Sequence, residues 1–160
     1  MGITLELAAL DEDTLDHLDD DTTDAQIASA LFDESEHTYT AGRIFHVIHY
    51  LLTESVESVK TDASFLLWGG THVGPRERHG FGRARVLSPK KCKKVAAVLI
   101  DEKTFTQRLS EWKIPSDVFY ADHIKHGAPE PDYVELYTGL VDFVRGAVER
   151  GQGILLAIVS

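Results

Sequence analysis

Ile44-Phe45-His46-Val47-Ile48-His49-Tyr50-Leu51-Leu52-Thr53 is the stretch on which the fold turns. Ile44, Val47, Ile48, Leu51 and Leu52 recur at the spacing of a helix face and make one continuous apolar stripe. The opposite face carries His46, His49, Tyr50 and Thr53. No Lys, Arg, Asp or Glu lies between Ile44 and Thr53. A helix on a protein surface places charge on its outer face, so this one reads as an interior rod, covered on both sides or lining a cleft with its histidines.

Toward the N-terminus, Ile3 to Leu10 is apolar with a polar break and predicts a first strand. Asp11 has the place of an N-cap before Leu15 and Leu18, and Asp24 before Ile27, Ala28, Leu31 and Phe32. Toward the C-terminus, Thr53 to Ala63 reads as a loop with a helical turn. Phe65-Leu66-Leu67-Trp68, closed by Gly69-Gly70, reads as a buried strand. A glycine-rich stretch of turns leads into a short strand near Ala84 to Leu87. Ser88-Pro89 is an N-cap followed by proline at the first helical position, and Val95, Ala96 and Leu99 share a face of the helix it opens. Asp101 caps another helix, with Phe105, Leu109 and Trp112 inward. Ile114 to Asp132 is irregular. Tyr133, Leu136, Tyr137, Leu140, Val144, Ala147 and Val148 form the longest apolar stripe, ended by Gly151. Ile154 to Val159 is an unbroken apolar run, the mark of a strand covered on both faces.

These elements do not alternate strictly as strand and helix. The fold class is therefore α+β: one compact domain over 1–160, with a small mixed or antiparallel sheet packed by about five to six helices. At 43% hydrophobic and 26% charged residues, the composition is that of an ordinary globular protein. The single cysteine, Cys92, cannot form an internal disulfide, and no run approaches the length of a membrane span. The stretch Met1-Gly2-Ile3-Thr4-Leu5-Glu6 lacks the basic and apolar regions of a signal peptide, so a cytoplasmic location is expected. Net charge is −10, with twelve acids and no Lys or Arg from Met1 to Gly42. Eight basic residues lie between Arg76 and Lys94. Overall acidity opposes nucleic-acid binding, which rests on neutralising phosphates, and no membrane contact is expected.

Arg43-Ile44-Phe45-His46-Val47-Ile48-His49-Tyr50-Leu51-Leu52-Thr53 resembles the signature helix of YfbM-like proteins, a Lys-x-Trp-His-x-x-His-aromatic-Leu-Leu-Thr pattern. Phe45 and Arg43 stand where Trp and Lys are usual in that family. Gly69-Gly70 with Gly74 beyond, Phe81-Gly82-Arg83-Ala84-Arg85, Leu87-Ser88-Pro89 and the ending Gly151-Gln152-Gly153 resemble further pieces of it in the same order. The resemblance implies a YfbM-like fold over most of the chain, in a bacterial family of unknown function. It implies no chemistry.

The ligand-binding candidates are His46, His49, Tyr50, Arg83 and Arg85. His46 and His49 are three apart on one helix face and can meet one ligand. A metal needs a third and fourth ligand, for which Asp33, Glu34, Glu36 and His37 lie close upstream and could bend back. A pair without a recognised third ligand is a weak signal, and neither metal nor cofactor is expected. His123 and His126 repeat the spacing in a loop-like context. Arg83 and Arg85 flank Ala84 on a strand and point to one face, where two guanidiniums can clamp a carboxylate or phosphate, or pair with the acidic N-terminal segment. Gly69 and Gly74 have the spacing of a phosphate loop, but Pro75-Arg76 follows in place of Lys-Ser/Thr, so tight turns are expected. Cys92 falls on the Val95 face and reads as a small core residue.

Three functions follow as expectations. The first is a non-catalytic binding or interaction module with a cleft near the His46/His49 helix, holding a small polar or anionic ligand or a protein partner. The second is a small hydrolase or transferase with His46 or His49 as general base. The third is an acidic inhibitor or immunity-type partner of a basic protein. A monomer or weak homodimer is expected.

Overall fold

The computed structural model describes residues 4–42, 45–55, 57–76, 82–111 and 132–159. Five strands form one sheet: β1 (Thr4–Leu10), β2 (His37–Gly42), β3 (Thr71–Val73), β4 (Ala84–Leu87) and β5 (Gly153–Val159). Their order is β2-β1-β5-β4-β3, and every pairing is antiparallel. Six helices are described: α1 (Glu12–Asp16), α2 (Asp24–Phe32), α3 (Phe45–Thr53), α4 (Pro89–Val98), α5 (Glu102–Ser110) and α6 (Tyr133–Glu149). The fold is α+β, as expected.

Side chains alternate across the sheet, and each face carries its own core. Ala8, Leu10, Val73, Ala84, Val86, Leu155 and Ala157 pack against Leu15 of α1 and Ile27, Ala30 and Leu31 of α2. Leu5, Leu7, Leu87, Ile154 and Leu156 point the other way, to α3, α4, α5 and α6. There the rings of Phe105 and Tyr137 stack at 4.1 Å and 6° between planes. The Tyr137 hydroxyl donates to the Ile100 carbonyl at 2.6 Å, so this ring is buried without stranding its polar end. The interior rod is borne out. Phe45, Val47, Ile48, His49, Leu51 and Leu52 are buried, and no residue of α3 is exposed. Arg43 and Ile44 lie outside the described residues.

Several expectations about single elements are corrected. Phe65 to Trp68 is not a strand but a set of turns after a 3-10 turn at Asp62–Ser64. A short apolar run does not by itself separate a buried strand from a buried turn. Here Arg85 takes the Phe65, Leu66 and Gly69 carbonyls that a neighbouring strand would otherwise need. Strand β2 had no reading, although His37-Thr38-Tyr39-Thr40 is rich in β-branched and aromatic residues. Tyr39 turns inward, lies beside Phe143 with ring centres 5.9 Å apart and planes tilted by 33°, and donates its hydroxyl to the Leu136 carbonyl of α6. Strand β3 was hidden in the glycine-rich stretch. Thr23, not Asp24, caps α2, through a reciprocal box with Gln26. That helix buries Ala30 in place of Phe32, which is 56% exposed. The Asp11 side chain makes no cap bond, and Leu18 lies beyond α1. Trp112, His123, His126 and nearly all of the irregular segment before α6 fall outside the described residues.

Candidate functional site

Helix α3 carries His46 and His49. Their rings lie 6.1 Å apart, so the two do share a face. His49 is fully buried. The Glu57 carbonyl lies 2.9 Å from its Nε2, so Nε2 carries the hydrogen and donates it. Nδ1 is then a bare lone pair, buried without a donor. Protonating Nδ1 would place a charge in that enclosure, and burial holds the imidazole pKa below its ordinary value. His46 is half-buried. Five cavities among the described residues have neither histidine in their walls. Tyr50 lines a small cavity of about 150 Å³ with Leu51, Glu54, Arg108 and Glu111. Arg108 was not foreseen. Its Nη1 donates to the Leu51 and Leu52 carbonyls at 2.8 and 3.0 Å and closes the C-terminal end of α3, where helix carbonyls lack partners and the dipole is negative.

The arginines lie on and just before β4. Arg85 pairs across the sheet with His72 on one side and Leu156 on the other, and Arg83 lies two residues earlier on the same face. Both arginines and His72 line one cavity of about 160 Å³, whose remaining wall is apolar, with Leu66, Leu67, Leu156 and Ile158 among its residues. Arg83 Nε and Nη2 donate to the Gly74 carbonyl at 3.2 and 2.9 Å, and Nη2 meets Asp20 Oδ1 at 2.5 Å. The expected pairing with the acidic N-terminal segment is therefore made by Arg83. The guanidinium beside Asp20 holds that carboxyl below its usual range. Arg85 is different. It is 8% exposed, and its Nη groups donate to the carbonyls of Gly69, Phe65 and Leu66 at 3.0, 3.0 and 2.8 Å. No carboxylate pairs with it among the described residues. Burial lowers its pKa to about 10, which leaves it charged at neutral pH.

Backbone geometry fixes the turn that leads into β3. Gly70 has φ +80°, and a Cβ there would lie 2.4 Å from the Val86 carbonyl, so only glycine lets the turn press against β4. Glycine-rich turns were the expectation. His72 was missed because its membership depends on cross-strand register, which local pattern does not give. The two arginines were legible from their alternation about Ala84. Arg83 and Arg85 meet in one cavity, whereas the histidines and Tyr50 do not line it. The end of β2 reaches that end of the sheet, since Gly42 pairs with Leu5, itself a cavity residue.

A larger cavity of about 570 Å³ opens between α1 and α2, walled by His17, Asp19, Asp21, Gln26 and Glu34 among others. No group of three or more His, Cys, Asp or Glu among the described residues has the geometry to hold a metal. Cys92 is fully buried, its thiol pushed up to about 12 by burial, in keeping with a core residue. No described helix is long and apolar enough to cross a membrane.

The sequence model of the family described as "Domain of unknown function (DUF1877)" matches residues 1–157, and the chain belongs to that family. No curated protein matches it. Among solved structures the chain is similar to the crystal structure of a protein of unknown function, YfbM from Escherichia coli. The two share 14% identity with a TM-score of 0.57, over 98% of this chain and 99% of that one. At that identity the likeness is one of fold, and the resemblance drawn from the α3 signature agrees with it.

Proposed function

We propose that this member of the DUF1877 family is a non-catalytic binding module, and that its ligand presents a small anionic group to the cavity lined by Arg83, Arg85 and His72. The observation that carries this reading is Arg85. A guanidinium removed from water normally has a carboxylate or phosphate opposite it, because carbonyl dipoles offset the lost hydration but not the charge. Arg85 has carbonyls, a cavity wall and no carboxylate among the described residues. A bound anion supplies what is missing. Perturbed ionisable groups beside a cavity are where binding sites concentrate. In this reading His49 is a packing residue, His46 is half-buried on the same helix, and Tyr50 belongs to the smaller cavity beside Arg108.

Titration of the protein with small anions, followed by amide and arginine side-chain NMR shifts, tests the idea. Arg83→Ala is expected to weaken any anion bound by tenfold or more, while His49→Ala changes stability rather than affinity. Shifts that ignore Arg83 altogether would remove the site.

The alternative of a hydrolase or transferase with a histidine base has less support, since Nε2 of His49 is engaged as a donor and Nδ1 is buried away from solvent. The acidic-inhibitor alternative draws on the α1–α2 side, where Asp11, Glu12, Asp13, Asp16, Asp19, Asp20 and Asp21 are all exposed. It expects capture of a cationic protein that weakens steeply with salt.

A further inference from the structure

We infer that the anion taken by the Arg83–Arg85 cavity is a short aliphatic carboxylate, and that Asp20 is a built-in competitor for it. This rests on the anion-binding reading above and narrows it to a ligand class.

The cavity has two poles. One is cationic and still has donors to give. Of five guanidinium hydrogens, Arg85 places three in bonds to carbonyls, which leaves Nε–H and one Nη1–H without a partner among the described residues. Arg83 leaves both Nη1 hydrogens unbonded in the same sense. The other pole is hydrocarbon, formed by Leu66, Leu67, Leu156 and Ile158. A phosphate placed here would turn some of its oxygens toward leucine and isoleucine side chains that cannot hydrogen-bond them. A carboxylate has two oxygens, both able to face the arginines, and a tail that gains from the apolar wall. The volume of about 160 Å³ has room for roughly five water-sized groups at about 30 Å³ each. That is a carboxylate group with two or three carbons beyond it.

The chain already shows which anion Arg83 accepts. The Asp20 carboxylate sits on its Nη2 at 2.5 Å, yet the Asp20 side chain is 80% exposed, so leaving the arginine returns it to water. Asp19 next to it is fastened by its carbonyl to the Gly74 amide at 2.8 Å, which keeps the competitor within reach after release.

The test uses the intact chain and four probes: acetate, propionate, butyrate and inorganic phosphate. Binding is read from the Nε–H resonances of Arg83 and Arg85. Carboxylate affinity is expected to rise about three- to fourfold for each added methylene and to level off once the cavity is full, with phosphate weaker than propionate. Asp20→Asn, an exposed and conservative change, is expected to tighten the carboxylates several-fold, and Arg83→Gln to weaken them. On saturation with butyrate, the Asp20 carboxyl is expected to titrate closer to an ordinary aspartate. Phosphate binding tighter than every carboxylate, still dependent on Arg83, would overturn the ligand class and leave the anion site standing. An unchanged affinity in Asp20→Asn would overturn the competitor. Absence of shifts with all four probes would sink both this inference and the reading beneath it.

Discussion

Helix α3 and strand β4 each carry a polar group into the same core, and they do so by opposite means. His49 is taken inside as a neutral ring, with one nitrogen donating to a carbonyl and the other bare. Imidazole can shed its proton near neutral pH, so burial selects the uncharged form. Arg85 has no such exit. It stays charged, gathers three carbonyls and abuts a cavity. A buried group that can neutralise itself closes its site, whereas one that cannot leaves a demand for negative charge.

The sharpest way to break this contrast is Arg85→Leu. Three charge-assisted hydrogen bonds disappear and the turn from Phe65 to Gly69 loses its tie, for a loss of roughly 4 kcal/mol by urea denaturation, at about 1.5–3 kcal/mol per bond less what water recovers. A loss below about 1 kcal/mol would mean that the guanidinium holds nothing. Gly70→Ala acts on the same turn from the backbone side, where φ is +80° and a Cβ would meet the Val86 carbonyl. Strain of roughly 2–3 kcal/mol is expected from the denaturation midpoint.

The α3 half of the contrast is probed by pH. The His49 pKa is depressed in the folded state, so below the unfolded value near 6.5 the unfolded chain binds the extra proton. Stability should therefore fall as pH drops from about 6.5, at up to about 1.4 kcal/mol per pH unit from this group. His49→Gln should flatten that slope relative to wild type. An identical slope in the variant would place the titration elsewhere. The smallest effect is a calibration on the opposite face of the sheet. Thr23→Ala removes the α2 capping box and should cost about 1 kcal/mol without altering anion affinity or the pH slope.

The sequence made the elements with long or well-punctuated patterns visible: α3, α4 with Ser88-Pro89, α6 and β5. What it left obscure has a common cause. Phe65 to Trp68 has the composition of a strand, but its carbonyls are claimed by Arg85, about twenty residues on, and local pattern carries no trace of that. Strand β2 and the capping box at Thr23 were local and legible, and went unread. Within the site, Arg83 and Arg85 were marked by their alternation. His72, Asp20 and Arg108 depend on register or on contacts between segments distant in sequence, and each needed the fold before it had a role. The absence of charge along α3 did locate an interior helix, but among the described residues the cavity that Arg83 and Arg85 line does not reach the histidine rings.

Strand β5 lies at the centre of the sheet, bonded to β1 on one side and β4 on the other. A ribosome making this chain delivers the β1–β2 and β3–β4 ribbons well before the strip that joins them, for Leu7 meets Leu156 only across nearly the whole sequence. Until then each ribbon presents an unzipped margin of amides and carbonyls, the kind of template that recruits a stranger's strand. Such distant pairing is slow to form. The nascent polypeptide is thus most prone to clump in the interval between the making of β4 and the making of β5, which lasts several seconds at about 5–20 residues per second.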